Sequence, residues 1–533
     1  MAQDRDVVAF IHSYAPDGAP DPFMAGLIRG LANAGASVHV VMANHLVPGL
    51  HFHRLRRDVS ERKLIRFIRG IDPAFILSTN RGGITGAMLR ELDYPIVTWM
   101  VDHVPFMHHG GARDDLFGSR DHVVVSSSHY APVFEREYPV LKGRVHFLPF
   151  ATSTADFKDT GPAAQDIPLS FVGSFFHGGG LARMLSVIQD EPVLAQALIE
   201  LSLEVDQDFG IDVGQRVQEL GLEQALTQAG VHAHDLKMTL GNALSLNRRI
   251  RYLDAVSDLG LQFWGNNEWV NAASFSVRLL RCFHFGEFIR TRAQLVDLYQ
   301  RSRLSLNISH TQAMGALPYR VFDVMSSRSL LLTEHDARSD LFRLFGPQAP
   351  VPTFRNEAEL RKLVRHFLSQ EEERETLVKE CNLLLRSGFD FQDRARDFFK
   401  LVGKAAPADI DSAPAVTGGS AVRASPAPAG GGIAPAFTHA AGTPPGRVTM
   451  ADPLAFRFGP AVTISSLTSA ALAPVNQATL KAAAFIIESS PDWVLRAARW
   501  GARRYLPYSI RDGIMRRLQS GARRVRPARP NSR

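Results

Sequence analysis

The chain has 533 residues, 45% of them apolar and 21% charged, which fits a globular protein with room for two or three cores. Two cysteines, Cys282 and Cys381, exclude a disulfide framework, and no CxxC pair offers a zinc site. The net charge of +7 is uneven: residues 481–533 carry 13 basic and three acidic residues, a local +10 that leaves the rest slightly acidic, and no groove-like basic pattern speaks for nucleic acid.

The N-terminus, MAQDRDVVAF, is polar and acidic before its first short apolar run, so it does not read as a secretory signal. No run of about 18 apolar residues predicts a membrane-spanning helix, and the expected setting is cytoplasmic. Strand and helix then alternate. VVAFIHSY (7–14) reads as a strand, PFMAGLIRGLANAG (22–35) as a helix closed by Gly35, and SVHVVMA (37–43) as the next strand. A helix ERKLIRFIRG, strand AFILST (74–79), helix GAMLREL and strands PIVTWMV (95–101), HVVVSSS (122–128) and VHFLP (145–149) complete a first unit, residues 1–160. Such alternation predicts a parallel, doubly wound sheet.

The pattern restarts at PLSFVGSF (168–175), which runs into a glycine-rich turn, with a helical insertion over about 181–247. Strands GLQFWGN (260–266), RLSLNIS (303–309) and SLLLTE (329–334) alternate with helices AQLVDLYQRS and YRVFDVMSS. One long charged helix over EAELRKLVRHFLSQEEERETLVKECNLLLRSG and an amphipathic helix at 390–403 close a second unit, 161–404. Residues 405–450 are rich in Ala, Pro, Gly and Ser and read as a disordered linker. Residues 451–533 read as a basic amphipathic helical tail with Trp493, Trp500, Tyr505 and Tyr508 among arginines, a composition suited to anionic lipid, with a partner-docking helix or a solvated charged end as the alternatives.

Chemistry concentrates where strands end. Phe171-Val172-Gly173-Ser174 leads into His177-Gly178-Gly179-Gly180, and glycines at a strand–helix turn let backbone N–H groups approach a phosphate. A flexible turn also uses glycine. Gly265 and Asn266 end a strand where open α/β sheets bind ligands. Gly315, Ala316 and Leu317 are small enough to pass close to a ligand, and lead to Arg320 and Asp323, two ionised groups at the start of an otherwise apolar helix. Arg183 and the cluster Arg248, Arg249 and Arg251 are phosphate candidates, against the plainer reading of solvated helix faces. In the first unit Asp102 and His103 end a strand and could serve as a base on a hydroxyl, with Asn80, Arg81 and Gly82 beside them. Two patterns are discounted: Asp206-Gln207-Asp208, a DxD pattern between helices, and the histidines and aspartates of DHVPFMHHGGARDD, whose spacing matches no helical HxxxH arrangement.

The ordered series LQFWGN, LVDLYQRSRLSLNIS, LPYRVFDVMSS and LLLTE with DLFRLFG resembles the C-terminal half of group 1 glycosyltransferases of the spore-maturation-protein type. ILSTNRGG, PIVTWMVDHVPF, VHFLPFATS and IPLSFVGSF continue that resemblance over residues 5–403. It implies a GT-B fold: two Rossmann-like domains facing a cleft, with a nucleotide diphosphate sugar held mainly by the second. It implies sugar transfer without a metal, with retention at the anomeric carbon, to an unknown glycan, lipid-linked or protein acceptor, in cell-surface glycan synthesis. No cofactor is implied beyond the donor itself. By the same resemblance Asp323 stands where the family has a ribose-binding Glu, one methylene longer, and Arg328 stands where it has a small glycine. Arg320 would meet the diphosphate as a fork-shaped cation; a plain Arg320–Asp323 salt bridge or a helix cap is the structural alternative. Competing readings are a nucleotide-sugar epimerase or hydrolase, and a non-catalytic nucleotide- or sugar-binding module.

Overall fold

A computed structural model describes residues 5–13, 20–47, 55–102, 116–158, 164–176, 184–186, 188, 190–208, 211–231, 233–313, 315–406 and 446–456. Its first sheet is built on the buried runs β1 (Asp6–Ile11), β2 (Ser37–Met42), β3 (Phe75–Thr79), β4 (Ile96–Met100) and β5 (Asp121–Val125), with β6 (Val145–Phe147) at one edge. Phe75, Ile76, Leu77, Ile96, Val97 and Trp99 are all buried, as expected for strands covered on both faces. Helices α1 (Pro22–Asn33), α2 (Glu61–Ile71), α3 (Gly86–Glu91) and α4 (Tyr130–Glu137) supply the cover. The start of α1 is set locally: Asp21 accepts the Met24 N–H at 3.0 Å, and Pro22 occupies the first turn, where its missing donor costs nothing.

After a short helix α5 (Ala155–Lys158) the second sheet begins with β7 (Ile167–Val172). The insertion forms α6 (Pro192–Gln207), α7 (Val213–Glu219), α8 (Glu223–Gln228) and α9 (Ala233–Ala255), and it has its own apolar cluster around Leu198, Leu201, Val217 and Leu240. The sheet continues with β8 (Leu261–Trp264), helix α10 (Arg292–Arg301), β9 (Ser302–Asn307), helix α11 (Tyr319–Met325), β10 (Leu330–Glu334), helix α12 (Asp340–Phe345) and β11 (Thr353–Phe354). Every pairing in both sheets is parallel, and the second sheet runs β11-β10-β9-β7-β8. Two parallel doubly wound sheets in one chain are the architecture the alternation predicts.

The long charged helix divides. It becomes α13 (Glu357–Ser369) and α14 (Glu371–Leu384), parted at Gln370, whose backbone leaves the helical region. Glu371, Glu372 and Glu373 then fill the first turn of α14, where negative charge suits a helix N-terminus. The last helix, α15 (Phe391–Leu401), returns to the first sheet: Phe399 meets Phe75 at 5.0 Å and Phe398 meets Trp99 at 5.4 Å. Gly26 and Gly30 of α1 make room, since a Cβ on Gly30 would lie 2.5 Å from the Phe391 carbonyl carbon.

A second departure lies at the far end. Residues 446–456, which the composition divides between linker and tail, form β12 (Val448–Met450) and pair parallel with β2, giving the order β12-β2-β1-β3-β4-β5-β6. Phe456 then packs edge-on against Phe67 at 5.3 Å, and its carbonyl accepts the Ser60 N–H at 2.6 Å. A strand of three residues with little hydrophobic signal is invisible to periodicity; the exposed edge of β2 supplies what the segment itself lacks. Arg183, His103, Gly178, Gly179, most of the linker and the tail beyond Phe456 lie outside the described residues.

Candidate functional site

The chain leaving β7 and the chain leaving β9 meet beside two arginines. Arg249 of α9 lies on the buried stripe of that helix with Ser245, Leu246 and Leu253, and is itself 2% exposed. Its guanidinium donates to the Ser174 carbonyl at 2.6 Å and to the Ile308 carbonyl at 3.4 Å, and lies 4.3 Å from the Phe176 ring. Among the described residues it makes no hydrogen bond to a carboxylate. Burial, and then the charge of Arg320, push its pKa well below the usual arginine range. Arg320, in the first turn of α11, has a buried Nη1 with no hydrogen-bond partner and reaches the same Phe171 ring that Arg249 touches, at 6.0 Å against 5.7 Å.

The neighbouring arginines are neutralised. Arg248 is ion-paired with Glu334, whose carboxylate also takes the Ser309 N–H at 2.9 Å, and Arg251 meets Glu357 at 3.2 Å. Burial raises the Glu334 pKa and Arg248 opposes that rise. The three arginines therefore have different fates, and only Arg249 fits the phosphate role proposed for the cluster.

The glycines at the strand ends mainly serve packing. The Gly173 N–H is taken by the Trp264 carbonyl, its own carbonyl accepts Trp269 Nε1 at 2.7 Å, and a Cβ on Gly265 would lie 2.2 Å from that carbonyl. Asn266 clips the chain after β7, accepting the Phe175 N–H at 2.6 Å and donating to the Phe175 carbonyl at 3.2 Å. Gly315 is required twice over: its φ is +83°, and a Cβ there would lie 2.6 Å from the Arg338 carbonyl oxygen. Ala316 and Leu317 turn into the core.

The loop between β9 and α11 crosses to the first sheet. Helix α9 fixes it: Ser245 Oγ accepts the Thr311 N–H at 3.0 Å, and His310 Nε2 lies 3.0 Å from Asn242 Oδ1. The Gln312 N–H donates to His310 Nδ1 at 3.1 Å, which assigns the ring proton to Nε2. Burial, reinforced by Arg249, lowers the His310 pKa to about 3. Gln312 Nε2 then approaches Asp102 Oδ1 at 3.4 Å, and the Tyr130 hydroxyl donates to the Gln312 carbonyl.

Asp102 thus faces the loop that leaves β9 of the second sheet. Asn80 holds it, its side-chain Nδ2 donating to Asp102 Oδ2 at 2.7 Å while its Oδ1 accepts the Val101 and Asp102 N–H groups at 2.8 and 3.0 Å. Asn80 and Arg81 both adopt the left-handed conformation, with φ of 49° and 61°. Arg81 does not line the cleft. Its guanidinium is buried against Asp121, Thr98 Oγ1 at 3.1 Å and the Leu116 carbonyl at 2.8 Å, pinning the turn from beneath.

Asp323 departs from the salt-bridge and capping alternative. It does not pair with Arg320 and caps no helix end; the residue before α11 is Pro318, without a side-chain cap. At 1% exposure, its Oδ1 accepts the Thr152 hydroxyl at 2.6 Å and Arg292 Nη1 at 2.6 Å. Arg292 Nε also reaches Asp156 at 2.9 Å, and Asp156 pairs with Arg29 of α1 at 2.6 Å. The carboxylate is the centre of a buried network joining the two sheets, and in this conformation it presents no open face to a ribose. Asp206 and Asp208 engage Arg251 at 3.8 Å and Arg338 at 2.9 Å. Among the described residues no cluster of three or more His, Cys, Asp or Glu side chains could hold a metal ion.

Residues 248–400 match the family model described as "Glycosyl transferase-like". That span runs from Arg248 through Arg320 and Asp323 to α15, and leaves the first sheet unmatched. No curated protein matches the chain. Solved structures with a similar arrangement include a glycosyltransferase from Rickettsia africae (8% identity, TM-score 0.45, 75% of this chain and 98% of that one). Sucrose-phosphate synthase from Thermosynechococcus elongatus (12%, 0.44, 74% and 98%) and Anabaena HepE in complex with UDP and glucose (10%, 0.44, 75% and 99%) are others.

Arg292 escaped the sequence reading, although a signal existed. It is the first residue of α10, where a cation meets the positive end of the helix dipole and so asks for a carboxylate partner. Arg249 was legible too: it follows Ser245 and precedes Leu253 by four residues each, on a face that is otherwise buried.

Proposed function

We propose that this chain is a glycosyltransferase that moves a sugar from a nucleotide diphosphate sugar to an acceptor held against the first sheet. The observation that carries the reading is the pair Arg249 and Arg320, two guanidiniums beside the Phe171 ring of β7, neither hydrogen-bonded to a carboxylate among the described residues. A diphosphate supplies the missing anion, and the same cations would stabilise negative charge as the diphosphate departs. The glycosyl transferase-like match over 248–400 supports this chemistry.

Gly173, Gly265, Asn266 and the Gly315–Leu317 loop would shape the donor site, together with Gly178 and Gly179. A ribose contact by Asp323 would use Oδ2, which has no hydrogen-bond partner, after a movement that uncovers it. Asp102, with His103 beside it, would orient or deprotonate the acceptor hydroxyl. The finer assignments belong to this proposal: the spore-maturation-protein type, a hexosyl donor, retention, metal independence, a cytoplasmic setting and a role in cell-surface polysaccharide synthesis. So does association of the basic tail with an anionic membrane face. No helix of the described residues is long and apolar enough to cross a membrane.

Burial of Asp323 favours one second reading, a non-catalytic nucleotide-binding module. Titration calorimetry of the full-length protein with UDP, GDP, ADP and CDP tests both. Binding of one nucleoside diphosphate, lost in Arg249→Met, supports the donor site; binding of none removes it. Binding without turnover of the matching nucleotide sugars, across a panel of glycan and lipid-linked acceptors, selects the module.

A further inference from the structure

A short piece of chain, residues 308–312, joins the Arg249 guanidinium to the Asp102 carboxylate. Ile308, leaving β9, gives its carbonyl to Arg249 Nη2 at 3.4 Å, and Gln312 sets its Nε2 3.4 Å from Asp102 Oδ1. The piece between has little slack. Helix α9 holds the Thr311 N–H at Ser245 Oγ and His310 Nε2 at Asn242 Oδ1, both at 3.0 Å. The His310 ring meets the Phe176 ring at 4.4 Å, and Arg249 lies against that same Phe176 ring. At the far end the Tyr130 hydroxyl of α4 donates to the Gln312 carbonyl. The Gln312 side chain is then left with a carboxylate at one atom and nothing at the other: its Oε1 is buried without a hydrogen-bond partner among the described residues. A buried amide oxygen without a donor works against the folded state, so its presence asks for a role other than stability.

We propose that Gln312 is a positioning residue for the transfer: it orients Asp102 toward the acceptor hydroxyl, and the loop that carries it makes this orientation depend on an occupied donor site. The inference rests on the sugar transfer proposed above, with Asp102 as the group that meets the acceptor. Asn80 donates to Asp102 Oδ2 from the first sheet and Gln312 donates to Oδ1 from the loop after β9, so donors on both oxygens set the plane of the carboxylate. A neutral amide does this without supplying a counter-charge, and the carboxylate stays a strong hydrogen-bond acceptor for a hydroxyl. Arg249 is the link to the donor. A diphosphate on that guanidinium draws on the same cation that holds the Ile308 carbonyl, so its arrival is felt where the loop begins, and Gln312 carries it to Asp102.

The test uses the full-length protein and begins with calorimetry against UDP, GDP, ADP and CDP, which reads the donor site alone. Gln312→Met keeps the length of the side chain and loses its amide, so it should bind the selected diphosphate within about twofold of wild type. With the matching nucleotide sugar and the acceptor panel, its kcat should fall about tenfold or more while the donor KM stays nearly constant. Gln312→Glu, equal in shape but repelling Asp102, should be at least as poor. In an Asp102→Asn background the Gln312→Met change should cost less than about twofold, because its effect runs through that carboxylate. Hydrogen exchange supplies a readout without turnover: the diphosphate should slow exchange over residues 303–312 and 96–102 in wild type, and over 303–312 alone in Gln312→Met. Unchanged kcat, or equal losses in both backgrounds, with diphosphate binding intact would overturn the proposal. Binding of no diphosphate, or binding without turnover by wild type, would instead remove the sugar transfer on which it rests.

Discussion

Replacing Arg320 by Met separates a charge kept for a ligand from one kept for the fold. The guanidiniums of Arg249 and Arg320 lie 5.7 and 6.0 Å from one Phe171 ring, so they are no more than about 12 Å apart. At an effective dielectric of about 20, two like charges at that distance repel by about 1.4 kcal/mol or more. Methionine keeps the apolar stem and removes the repulsion, while losing a distant cation–π contact worth about 0.5–1 kcal/mol. The ligand-free variant should therefore be as stable as wild type, or more stable by up to about 1 kcal/mol, in urea denaturation. Diphosphate binding should suffer, because charge-assisted hydrogen bonds contribute about 1.5–3 kcal/mol each, or roughly 10- to 150-fold in Kd. Calorimetry at two salt concentrations would give the affinity and show a weaker salt dependence in the variant. A variant destabilised by more than about 1 kcal/mol that binds the nucleotide with unchanged affinity would refute the reasoning and make Arg320 a structural residue.

Asp323→Asn should cost about 3 kcal/mol in urea denaturation, because Arg292 keeps Asp156 but loses its second carboxylate in a buried site; Asp323→Asn/Arg292→Met should recover part of that loss, and additive losses would refute the coupling. His310 is held neutral down to about pH 3, whereas an ordinary histidine takes a proton near 6.5. Its contribution is intact above about pH 6.5 and falls as pH drops, because the unfolded chain then binds a proton that the folded site refuses. Between about pH 6 and 4 the stability of wild type should fall about 1.4 kcal/mol per unit more steeply than that of His310→Gln, measured by denaturation at each pH. Phe456→Ala should cost about 3 kcal/mol, read in the same way, if β12 belongs to the folded domain; no loss would make the strand incidental.

The sheets were legible because parallel strands buried on both faces are written as short, largely apolar runs, such as FILST and IVTWM. The break at Gln370 was not, because its two flanks share one helical pattern and no Gly or Pro marks the join. In the site, Asp102 and Arg320 could be found from their positions at a strand end and a helix start. Asp323 could be found as a residue but not as an environment. Its partners, Thr152, Asp156 and Arg292, come from other parts of the chain, and distance in sequence hides which of several arginines a carboxylate meets. Asn80 could not be anticipated in the left-handed region without the turn that places it there.

The first sheet is completed by pieces from three parts of the chain: its own strands, α15 and β12. The domain that is translated first is therefore among the last to be finished. During synthesis, the hydrogen-bonding edge of β2 stays open until residues 446–456 leave the ribosome, after the whole second sheet has been made. Seating β12 on that edge closes the chain between Ala406 and Gly446, a cost that grows only slowly with length. A chain ended near residue 404 would keep the arginine pair but leave β2 as a bare template for other strands, so it should aggregate in proportion to its concentration where the longer chain does not.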